Sequence, residues 1–527
     1  MPSPLDRRTI LKGAALGTLG LLAGGAKVPW GSSSAMAASA GDWNALSRAL
    51  SGGLLFPNDP AYATARLPWN TIYDYVAPQA IAQPRTIAEV QAAVTFCRDL
   101  GIKPTARSGG HSFQGFSTTS GLLIDMSAMN RVTLNRARTK ARIGAGALLI
   151  DIYRELFNQG RMAITGGTCP LVGISGLTQG GGVGPFSRQY GLTLDRLLSA
   201  NIVTANGEAL RVSDDENPDL FWAIRGGGGG NFGIVTSFEF APVPVDMKLN
   251  SYVITFAWRH AQRVVEAFQT WPDALPITAH PNLVLVTSTG APGAQPSVTV
   301  ELWHRGPQQR ANRVIRDFIR EVGAKPLSVA AKRQNFFQAE FDEYCEGFTQ
   351  AQCAPVTTPG GLLPRVGLST YSDISSGPWP RRANEVMLEE LERWQRDPVL
   401  QPEGLNFNLQ AGKVIIEPLS GAVHDTPTDA TAFPHRDGWL IYQFQSRVQP
   451  GAAADVVAAG QEWVNRLYAR LAPWRTGAEY SNYGNRELKR WGDAYYGPNL
   501  ARLREIKRTY DPTNLFRFEQ SVPPRKG

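Results

Sequence analysis

The chain has 527 residues, of which 43% are hydrophobic and 19% charged, as in an ordinary soluble globular protein. This length exceeds what one hydrophobic core usually holds, so at least two lobes are expected. The formal net charge of +8 is mild for this length, and no basic block is interleaved with aromatic residues. The composition therefore argues against nucleic-acid binding.

The N-terminal segment has the pattern of an export signal. Paired Arg7 and Arg8 precede a Gly/Ala/Leu-rich stretch, residues 13–26, which is too short and too rich in glycine to span a bilayer stably. Residues 35–37 and 38–40 both fit the small-x-small pattern of a cleavage site. A disordered basic leader would explain the charges but not the apolar stretch. We therefore predict a twin-arginine-type signal, an exported protein and no stable membrane insertion after the signal is removed.

Helices alternate with short β-branched segments from about residue 50 to 245, which indicates an α+β fold. One helix is predicted to begin after Thr86, with Glu89 completing a capping box, and to end at Gly101. Cys97 lies on the apolar side of this helix, so we expect a buried thiol. The other elements predicted here are a helix at 150–157 and strands at 122–126, 141–146, 198–204, 208–212 and 234–240, with a hairpin-type turn at Asn206-Gly207.

The middle third of the chain has a different pattern. Segments with period-2 alternation predict an antiparallel sheet with one covered face. These strands are expected at 251–256, 283–288, 297–303 and 439–445. Helices near 260–271, 308–322, 382–396 and 452–471 are predicted to cover that face.

Two glycine-rich segments present one histidine and one cysteine on bent backbone. They are residues 107–113 (RSGGHSF), with His111, and 166–170 (GGTCP), with Cys169, followed by Gly180–Gly182. Neither spacing fits a zinc site, and no metal is predicted. Glycine lets backbone amides approach a flat or phosphorylated ligand closely, so a large cofactor is the natural occupant. A Rossmann fingerprint is excluded, since these glycines do not follow a strand within a compact βαβ unit.

These motifs resemble the bicovalent flavoprotein oxidases, the berberine-bridge-enzyme-like branch of the vanillyl-alcohol-oxidase/PCMH superfamily. The resemblance implies FAD bonded to both His111 and Cys169, a two-lobed PCMH-type FAD-binding domain, and a substrate domain whose antiparallel sheet is covered by helices. Residues 226–233 (GGGGGNFG) resemble the family's tight loop at the cofactor. Residues 480–483 (YSNY) and 503–516 match its terminal signature.

The resemblance also implies the remaining cofactor contacts and the domain limits. The residues expected to bind FAD beside the two anchors are Arg107, Ser108, Gly109, Gly110, Ser112, Gly115, Gly167, Gly173, Gly176, Gly180, Gly181, Gly182, Gly233, Ile234, Val235 and Asn482. The expected segments are the signal at 1–40, the N-terminal part of the FAD-binding domain at 41–245, the substrate domain at 246–470, and at 471–527 a berberine-bridge-type segment that returns to the FAD domain.

Oxidation of an alcohol by a flavin requires a base for the hydroxyl proton. In the resembled enzymes this base is commonly a tyrosine of the terminal motif, so Tyr480 is the first choice, Tyr483 the second and Tyr190 a helper. Ionisation near neutral pH would require a tyrosine pKa lowered from about 10 to about 7–8. Many plant-type members carry tyrosine where this chain has Phe113, which weakens any transfer of their pocket chemistry.

Three further expectations complete the sequence predictions. In the resembled oxidases a small side chain often stands where this chain has Val172, which favours dioxygen as electron acceptor. An exported context permits a disulfide between Cys345 and Cys353, which leaves Cys169 unpaired. Tyr495 and Tyr496 are interpreted as surface aromatics of a packed helix.

The sequence thus predicts an exported, monomeric FAD-dependent oxidase. It would convert a hydroxyl of a small alcohol, a sugar or a secondary metabolite to a carbonyl while dioxygen is reduced to hydrogen peroxide. A flavin dehydrogenase with another acceptor is the near alternative. A flavin-bearing binding protein without turnover is the alternative from a different class.

Overall fold

The computed structural model describes residues 38–287, 294–401 and 410–525. The arginine pair and the apolar stretch of the predicted signal lie outside these residues. The helices, numbered in chain order, are α1 (Ala40–Ala49), α2 (Tyr62–Ala65), α3 (Ile87–Asp99), α4 (Leu149–Gly160), α5 (Ile174–Gly180), α6 (Ser187–Tyr190), α7 (Pro218–Ile224), α8 (Ala261–Ala274), α9 (Gln308–Val322), α10 (Phe336–Cys345), α11 (Arg381–Arg396), α12 (Ala454–Arg470), α13 (Trp491–Tyr496) and α14 (Leu500–Tyr510).

The strands, numbered in the same way, form four sheets. They are β1 (Leu54–Leu55), β2 (Ala80–Ala82), β3 (Pro104–Arg107), β4 (Leu122–Asp125), β5 (Val132–Leu134), β6 (Ala141–Gly144), β7 (Met162–Ala163), β8 (Leu197–Val203), β9 (Ala209–Ser213), β10 (Ile234–Phe240), β11 (Val243–Pro244), β12 (Leu249–Phe256), β13 (Ala279–Val286), β14 (Ser297–Arg305), β15 (Ser328–Gln334), β16 (Gly367–Ser375), β17 (Ala411–Pro418) and β18 (Leu440–Val448). The α+β prediction is confirmed.

The first helix predicted with a cap is α3. The Thr86 hydroxyl accepts a hydrogen bond from the Glu89 amide at 3.3 Å, as expected of an N-cap residue. The Glu89 carboxylate, however, accepts from the amide of Arg85 at 2.8 Å and from the Ser51 hydroxyl at 2.7 Å. The capping box is therefore only half formed, because a tertiary contact takes the carboxylate. Cys97 is fully buried, as predicted.

The first half of the molecule contains two sheets that carry the glycine-rich loops. In the order β1-β2-β4-β3, the pairs β2/β4 and β3/β4 are parallel, and residues 107–113 begin at the carboxyl end of β3. The second sheet has the antiparallel order β5-β6-β10-β8-β9, and β8 and β9 pair across the predicted Asn206-Gly207 turn. Gly207 has a φ of +81°, which glycine adopts without strain.

A seven-stranded antiparallel sheet, in the order β15-β12-β14-β13-β17-β18-β16, forms the second half. Helices α8, α9, α11 and α12 share one hydrophobic core with its covered face, as predicted. Because successive side chains of a strand point to opposite faces, the residues between the core positions lie on the open face of this sheet. On β17, Val414 and Ile416 point into this core, whereas Lys413, Ile415 and Glu417 line a cavity.

Three strands of this sheet were missed in the sequence. Strand β15 is an exposed edge, and β17 carries charges within its apolar run. Strand β16 is buried along its whole length, although its residues include Ser369, Thr370, Ser372 and Asp373. A strand covered on both sides has no solvent-exposed face, so its polar and apolar residues need not alternate and the period-2 pattern does not mark it.

The C-terminal segment is fastened to the 226–233 loop. The buried Lys507 ammonium pairs with Asp511 at 2.7 Å and donates to the carbonyl oxygen of Phe516 at 2.6 Å. The same ammonium donates to the carbonyl of Asn231, whose side-chain oxygen accepts from the amide of Val522. Cys345 and Cys353 form the predicted disulfide. Among the described residues, no helix combines the length and the apolarity needed to cross a membrane.

Candidate active site

A cavity of about 580 Å³ lies between the glycine-rich loops and the open face of the seven-stranded sheet. Its volume is within the range of small-molecule and cofactor sites, roughly 300–1,000 Å³. One end, which we call the anchor end, contains His111 and Cys169. The other, which we call the sheet end, contains side chains of β13, β14, β17 and β18 together with Tyr483.

The two predicted anchors meet at the anchor end. The Sγ atom of Cys169 lies 3.4 Å from Nε2 of His111, although the residues are 58 positions apart in the chain. The indole of Trp69 stacks on the His111 ring with centroids 3.9 Å apart. Burial lowers the pKa of His111 to about 3 and raises the pKa of Cys169 to about 11. Both side chains are therefore neutral near pH 7.

Close backbone packing explains the glycines around the anchors. A Cβ atom on Gly109 would lie 2.4 Å from the amide nitrogen of Gly173 and 2.6 Å from the carbonyl oxygen of Leu171. The Ser108 hydroxyl donates to the Ala145 carbonyl at 2.6 Å. At Gly176, in contrast, a Cβ atom would meet no atom of the described residues within 4 Å, and this residue lines the cavity. Some of these glycines are therefore required for close backbone packing, and others leave room for a ligand.

Most of the predicted site residues line the cavity. They are Ser108, Gly109, Gly110, His111, Ser112, Gly167, Cys169, Gly173, Gly176, Gly233, Ile234, Val235, Tyr480, Asn482 and Tyr483. Gly228, Gly229 and Gly230 of the five-glycine run also line it. That run is therefore part of the cavity wall.

Five predicted cofactor-binding residues lie behind the wall instead. The Arg107 guanidinium donates to the carbonyls of Ala65, Arg66 and Ser117 and so holds the loop around the site. A Cβ atom on Gly115 would lie 2.5 Å from the Tyr73 ring. The family resemblance implied that these two residues contact FAD, but in the structure Arg107 holds the surrounding backbone and Gly115 packs against the Tyr73 ring.

Gly180, Gly181 and Gly182 are the other three, and they make room for the terminal motif. A Cβ atom on Gly180 would lie 2.2 Å from the Asn482 amide oxygen, and one on Gly181 would lie 2.9 Å from the Tyr480 ring. The amide of Gly182 donates to the Tyr480 hydroxyl oxygen at 2.7 Å, and Nδ2 of Asn482 donates to the same oxygen at 2.8 Å. These two hydrogen bonds hold the Tyr480 side chain in place. The glycines of this run thus pack against the protein's own side chains and not against a ligand.

The structure does not support Tyr190 as a helper at the reacting centre. It is absent from the described residues that line the cavity. Its hydroxyl accepts from Nη1 of Arg305 on β14 at 2.7 Å, and its ring meets Phe186 edge-on. The short helix α6 turns this side chain toward β14 of the seven-stranded sheet, which local sequence does not show.

The prediction that Tyr495 and Tyr496 are surface residues is wrong. Their side chains are 4% and 2% exposed, and both line the cavity. The Tyr495 hydroxyl donates to Oε1 of Gln520 at 3.1 Å, and the Tyr496 hydroxyl donates to the carbonyl of Gly227 at 3.0 Å. The Tyr496 bond ties α13 to the five-glycine run, and the Tyr495 bond ties it to the C-terminal segment. The sequence of a six-residue helix shows neither contact.

At the sheet end, the Tyr483 hydroxyl lies near the carboxylate of Glu417, and each group influences the pKa of the other. Burial raises the pKa of Glu417 to about 7. The pKa of Tyr483 lies well above its usual value because of burial and the adjacent carboxylate. Burial also raises the pKa of Tyr480 to about 12, despite its two N–H donors. The expected lowering of a tyrosine pKa is therefore not found, and the titratable group beside Tyr483 is the carboxylate of Glu417.

Several polar atoms at the sheet end are buried without a hydrogen-bond partner among the described residues. These atoms, all on cavity-lining residues, are Nδ1 of His280, Oδ1 of Asn282, Oε2 of Glu417 and Nε2 of Gln443. Buried polar atoms normally have partners, so this end is built to receive a ligand rich in hydrogen-bonding groups. Sequence reasoning missed all four residues, because they lie on three different strands and form no motif.

The anchor end fits the predicted FAD. The Ser117 hydroxyl at its wall is buried without a hydrogen-bond partner among the described residues, and Gly176 leaves open space beside the backbone. His111 and Cys169 supply two nucleophilic side chains within one van der Waals contact of each other. Such a site defines a flavin-dependent oxidoreductase.

Comparison with known proteins agrees. Residues 78–213 match the FAD binding domain family, and residues 479–523 match the berberine and berberine-like family. The chain is 30% identical to an FAD-linked oxidoreductase of Bacillus subtilis, with 90% of this chain and 97% of that protein aligned. It is 30% identical to the xylooligosaccharide oxidase of Thermothelomyces thermophilus, with 89% and 91% aligned.

The solved structure of a chitooligosaccharide oxidase superposes with a TM-score of 0.80 at 25% identity, covering 92% of this chain and 100% of that one. The chain belongs to the berberine-bridge-enzyme-like family of FAD-linked oxidoreductases.

Proposed function

We propose that the protein is an exported oxidase that carries FAD bonded to both His111 and Cys169. It oxidises a hydroxyl of an oligosaccharide to a carbonyl, and dioxygen is reduced to hydrogen peroxide. One observation carries this proposal: a single cavity holds the His111–Cys169 pair at one end and, at the other, a phenol–carboxylate pair among unpartnered polar atoms.

The sheet end favours a carbohydrate over an apolar alcohol. A sugar presents a hydroxyl on most of its carbons, and each can donate or accept at His280, Asn282 or Gln443. An apolar ligand would leave these buried atoms unpaired, at a cost of about 1–3 kcal/mol each. Relatives with 29–30% identity are named xylooligosaccharide, chitooligosaccharide and glucooligosaccharide oxidase.

The arrangement favours Tyr483 over Tyr480 as the base. When bound, FAD accepts the hydride that leaves the alcohol carbon. Tyr483 takes the hydroxyl proton of the substrate while its own proton passes to the Glu417 carboxylate. The Tyr480 oxygen already accepts two N–H donors, so this residue shapes the wall beside Tyr483, with ring centroids 4.8 Å apart.

Val172 is the observation that favours dioxygen as the acceptor, because this small side chain lines the cavity two residues beyond Pro170. Stopped-flow oxidation of the reduced protein by dioxygen separates the two acceptor classes. An oxidase is reoxidised rapidly with formation of hydrogen peroxide. Slow reoxidation by dioxygen and fast turnover with a quinone would instead indicate a dehydrogenase.

Denaturation followed by acid precipitation tests the attachment. We expect all flavin to stay with the polypeptide, His111→Ala and Cys169→Ala each to leave one link, and the double variant to release all flavin. Cys97→Ala, the other free cysteine, is the matched control and should keep both links. Complete release from the unmodified protein would refute both attachments.

Anaerobic bleaching of the flavin tests the substrate class. We expect oligosaccharides to reduce the flavin and apolar primary alcohols to fail at equal concentration. The opposite ranking would contradict the carbohydrate proposal without affecting the covalent flavin.

Export has its own test. Replacement of Arg7 and Arg8 by lysine should leave uncleaved precursor in the cytoplasm, since paired guanidinium groups are the recognition feature of a twin-arginine signal. Unchanged secretion of the double variant would indicate another export route.

A further inference from the structure

We propose that a second cavity of this protein takes up dioxygen and passes it to the anchor end through a layer of apolar side chains. The inference rests on the oxidase activity proposed above, because a dehydrogenase has no need of dioxygen. It concerns where the electron acceptor enters and leaves the oxidation of the substrate as already described.

The second cavity has a volume of about 270 Å³ and lies at the start of α4. Its apolar wall comes from the start of α4, from α10 and from the loop that follows the disulfide. These residues are Leu148, Ile150, Phe337, Phe341, Cys353 and Ala354. Ile150 and Phe341 are buried, with 7% and 8% of their surface exposed. The cavity therefore extends from the surface into apolar packing.

The polar residues around the second cavity have partners or face solvent. Asp151 and Arg154 pair with each other, with Oδ1 and Nη2 2.8 Å apart. Gln350 and Thr358 are exposed. Among the described residues, no buried polar atom without a hydrogen-bond partner lies on this cavity, whereas the sheet end has several. The second cavity therefore suits a small apolar molecule and does not suit a sugar.

A single thickness of chain separates the second cavity from the main cavity, which contains the anchor and sheet ends. The Leu149 amide donates to the carbonyl of Val172 at 3.0 Å. Leu149 and Val172 both line the main cavity. Leu148 and Ile150, on either side of Leu149, line the second cavity. The two cavities thus adjoin three residues after the Cys169 anchor.

One hydrophobic cluster joins the two walls. Its members on the main cavity are Leu171, Leu363 and Trp69, the residue that stacks on the histidine anchor. Its members on the second cavity include Ile150 and Phe341. Apolar solutes transfer favourably from water into such surroundings. Side chains in a packed core still change rotamer, and a molecule of two atoms can cross the layer when they do.

A separate path for dioxygen fits the order of the proposed reaction. Oxidation of the alcohol leaves two electrons on FAD at the anchor end, and dioxygen takes up these electrons with two protons to give hydrogen peroxide. The sugar and its product occupy the sheet end. A path through the second cavity delivers dioxygen to the anchor end without passing the sheet end.

Stopped-flow reoxidation by dioxygen of protein reduced with dithionite tests the path. Ile150→Phe fills the second cavity, so the rate constant for reoxidation should fall about tenfold. Ile150→Ala enlarges the cavity, so the rate constant should stay equal or rise. Both substitutions cost stability, the first by overpacking and the second by leaving space, so a general loss of structure would slow both variants. Reoxidation by dichlorophenolindophenol, a charged dye, should be unchanged in both.

Xenon gives a readout that does not depend on turnover, because apolar cavities bind this gas. Crystals under xenon pressure should show xenon in the second cavity of the unmodified protein and of Ile150→Ala, and none in Ile150→Phe. Ala354→Phe fills the same cavity from the loop and provides the test if Ile150→Phe does not fold. This variant should also slow reoxidation by dioxygen and exclude xenon.

Failure of the path and failure of the oxidase proposal give different results. Fast reoxidation that the cavity-filling variants leave unchanged would overturn the path alone, and so would a second cavity that binds no xenon. Slow reoxidation of the unmodified protein by dioxygen, with fast reoxidation by the dye, would overturn the oxidase proposal and the path together.

Discussion

The anchor end and the sheet end of the cavity are built from different parts of the chain and by different means. Backbone forms most of the anchor end, where Gly109 and Gly173 pack too closely for any side chain. At the sheet end, side chains of strands distant in sequence converge, among them Glu301 on β14 and Glu417 on β17. The fit between backbone and ligand governs the anchor end, whereas the protonation states of side chains govern the sheet end.

This difference predicts two kinds of failure. At the anchor end His111 and Cys169 are both neutral, so a substitution there should act through fit and change flavin retention. At the sheet end, burial places the pKa of Glu417 and Glu343 at about 7 and that of Lys413 at about 8. A substitution there should act on rates and on their pH dependence, with flavin retained.

The largest effect is expected from Tyr483→Phe, which keeps the ring packing against Phe113 and deletes the hydroxyl. The rate of anaerobic flavin reduction by substrate, measured by rapid mixing, should fall by a factor of about 10²–10⁴. Tyr480→Phe is the matched control and should slow it less, with flavin content unchanged in both. A larger loss in the Tyr480 variant would return the base to that residue.

Glu417→Gln should have the next largest effect, about 10–10² on the same rate, because the acceptor of the Tyr483 proton is removed. The carboxylate form exists above a pKa of about 7. The rate should therefore rise with pH through about 7 in the unmodified protein. This rising limb of the pH–rate profile should be absent in the variant. Glu343→Gln should retain the limb. A limb that persists in Glu417→Gln would assign it to another group.

At the anchor end, Gly109→Ala forces a Cβ atom against the backbone of Gly173 and Leu171. Overpacking of this kind costs about 1–3 kcal/mol, so thermal stability and covalent flavin should fall together. Gly176→Ala gives the opposite pattern: it meets no atom of the described residues, so stability should hold while flavin content falls. Equal behaviour of the two variants would mean that the distinction between packing and ligand glycines is wrong.

The smallest effect calibrates the others. Thr86→Ala removes the N-cap of α3, away from both ends, and should cost about 1 kcal/mol in chemical denaturation. Flavin content and the reduction rate should not change. If they do, the two ends respond to general destabilisation, and the variants above need comparison at matched stability.

The anchors were predictable from the sequence because their motifs are local. A bent glycine-rich backbone with His111 or Cys169 can be read from a few neighbouring residues, and so can the α3 cap at Thr86 and the turn at Gly207. The helices over the large sheet were predictable for the same reason, since their amphipathic period lies within each segment.

What only the tertiary structure decided is which side chains meet. In the structure Tyr190 lies outside the cavity, and Tyr495 and Tyr496 form part of its wall. Glu417 lies beside Tyr483. Period-2 alternation predicts that Lys413 and Glu417 share one face of a strand, but it does not predict what covers that face. The face is covered by loops more than 200 residues away in the chain, and burial there, rather than residue identity, sets the charges on which the chemistry depends.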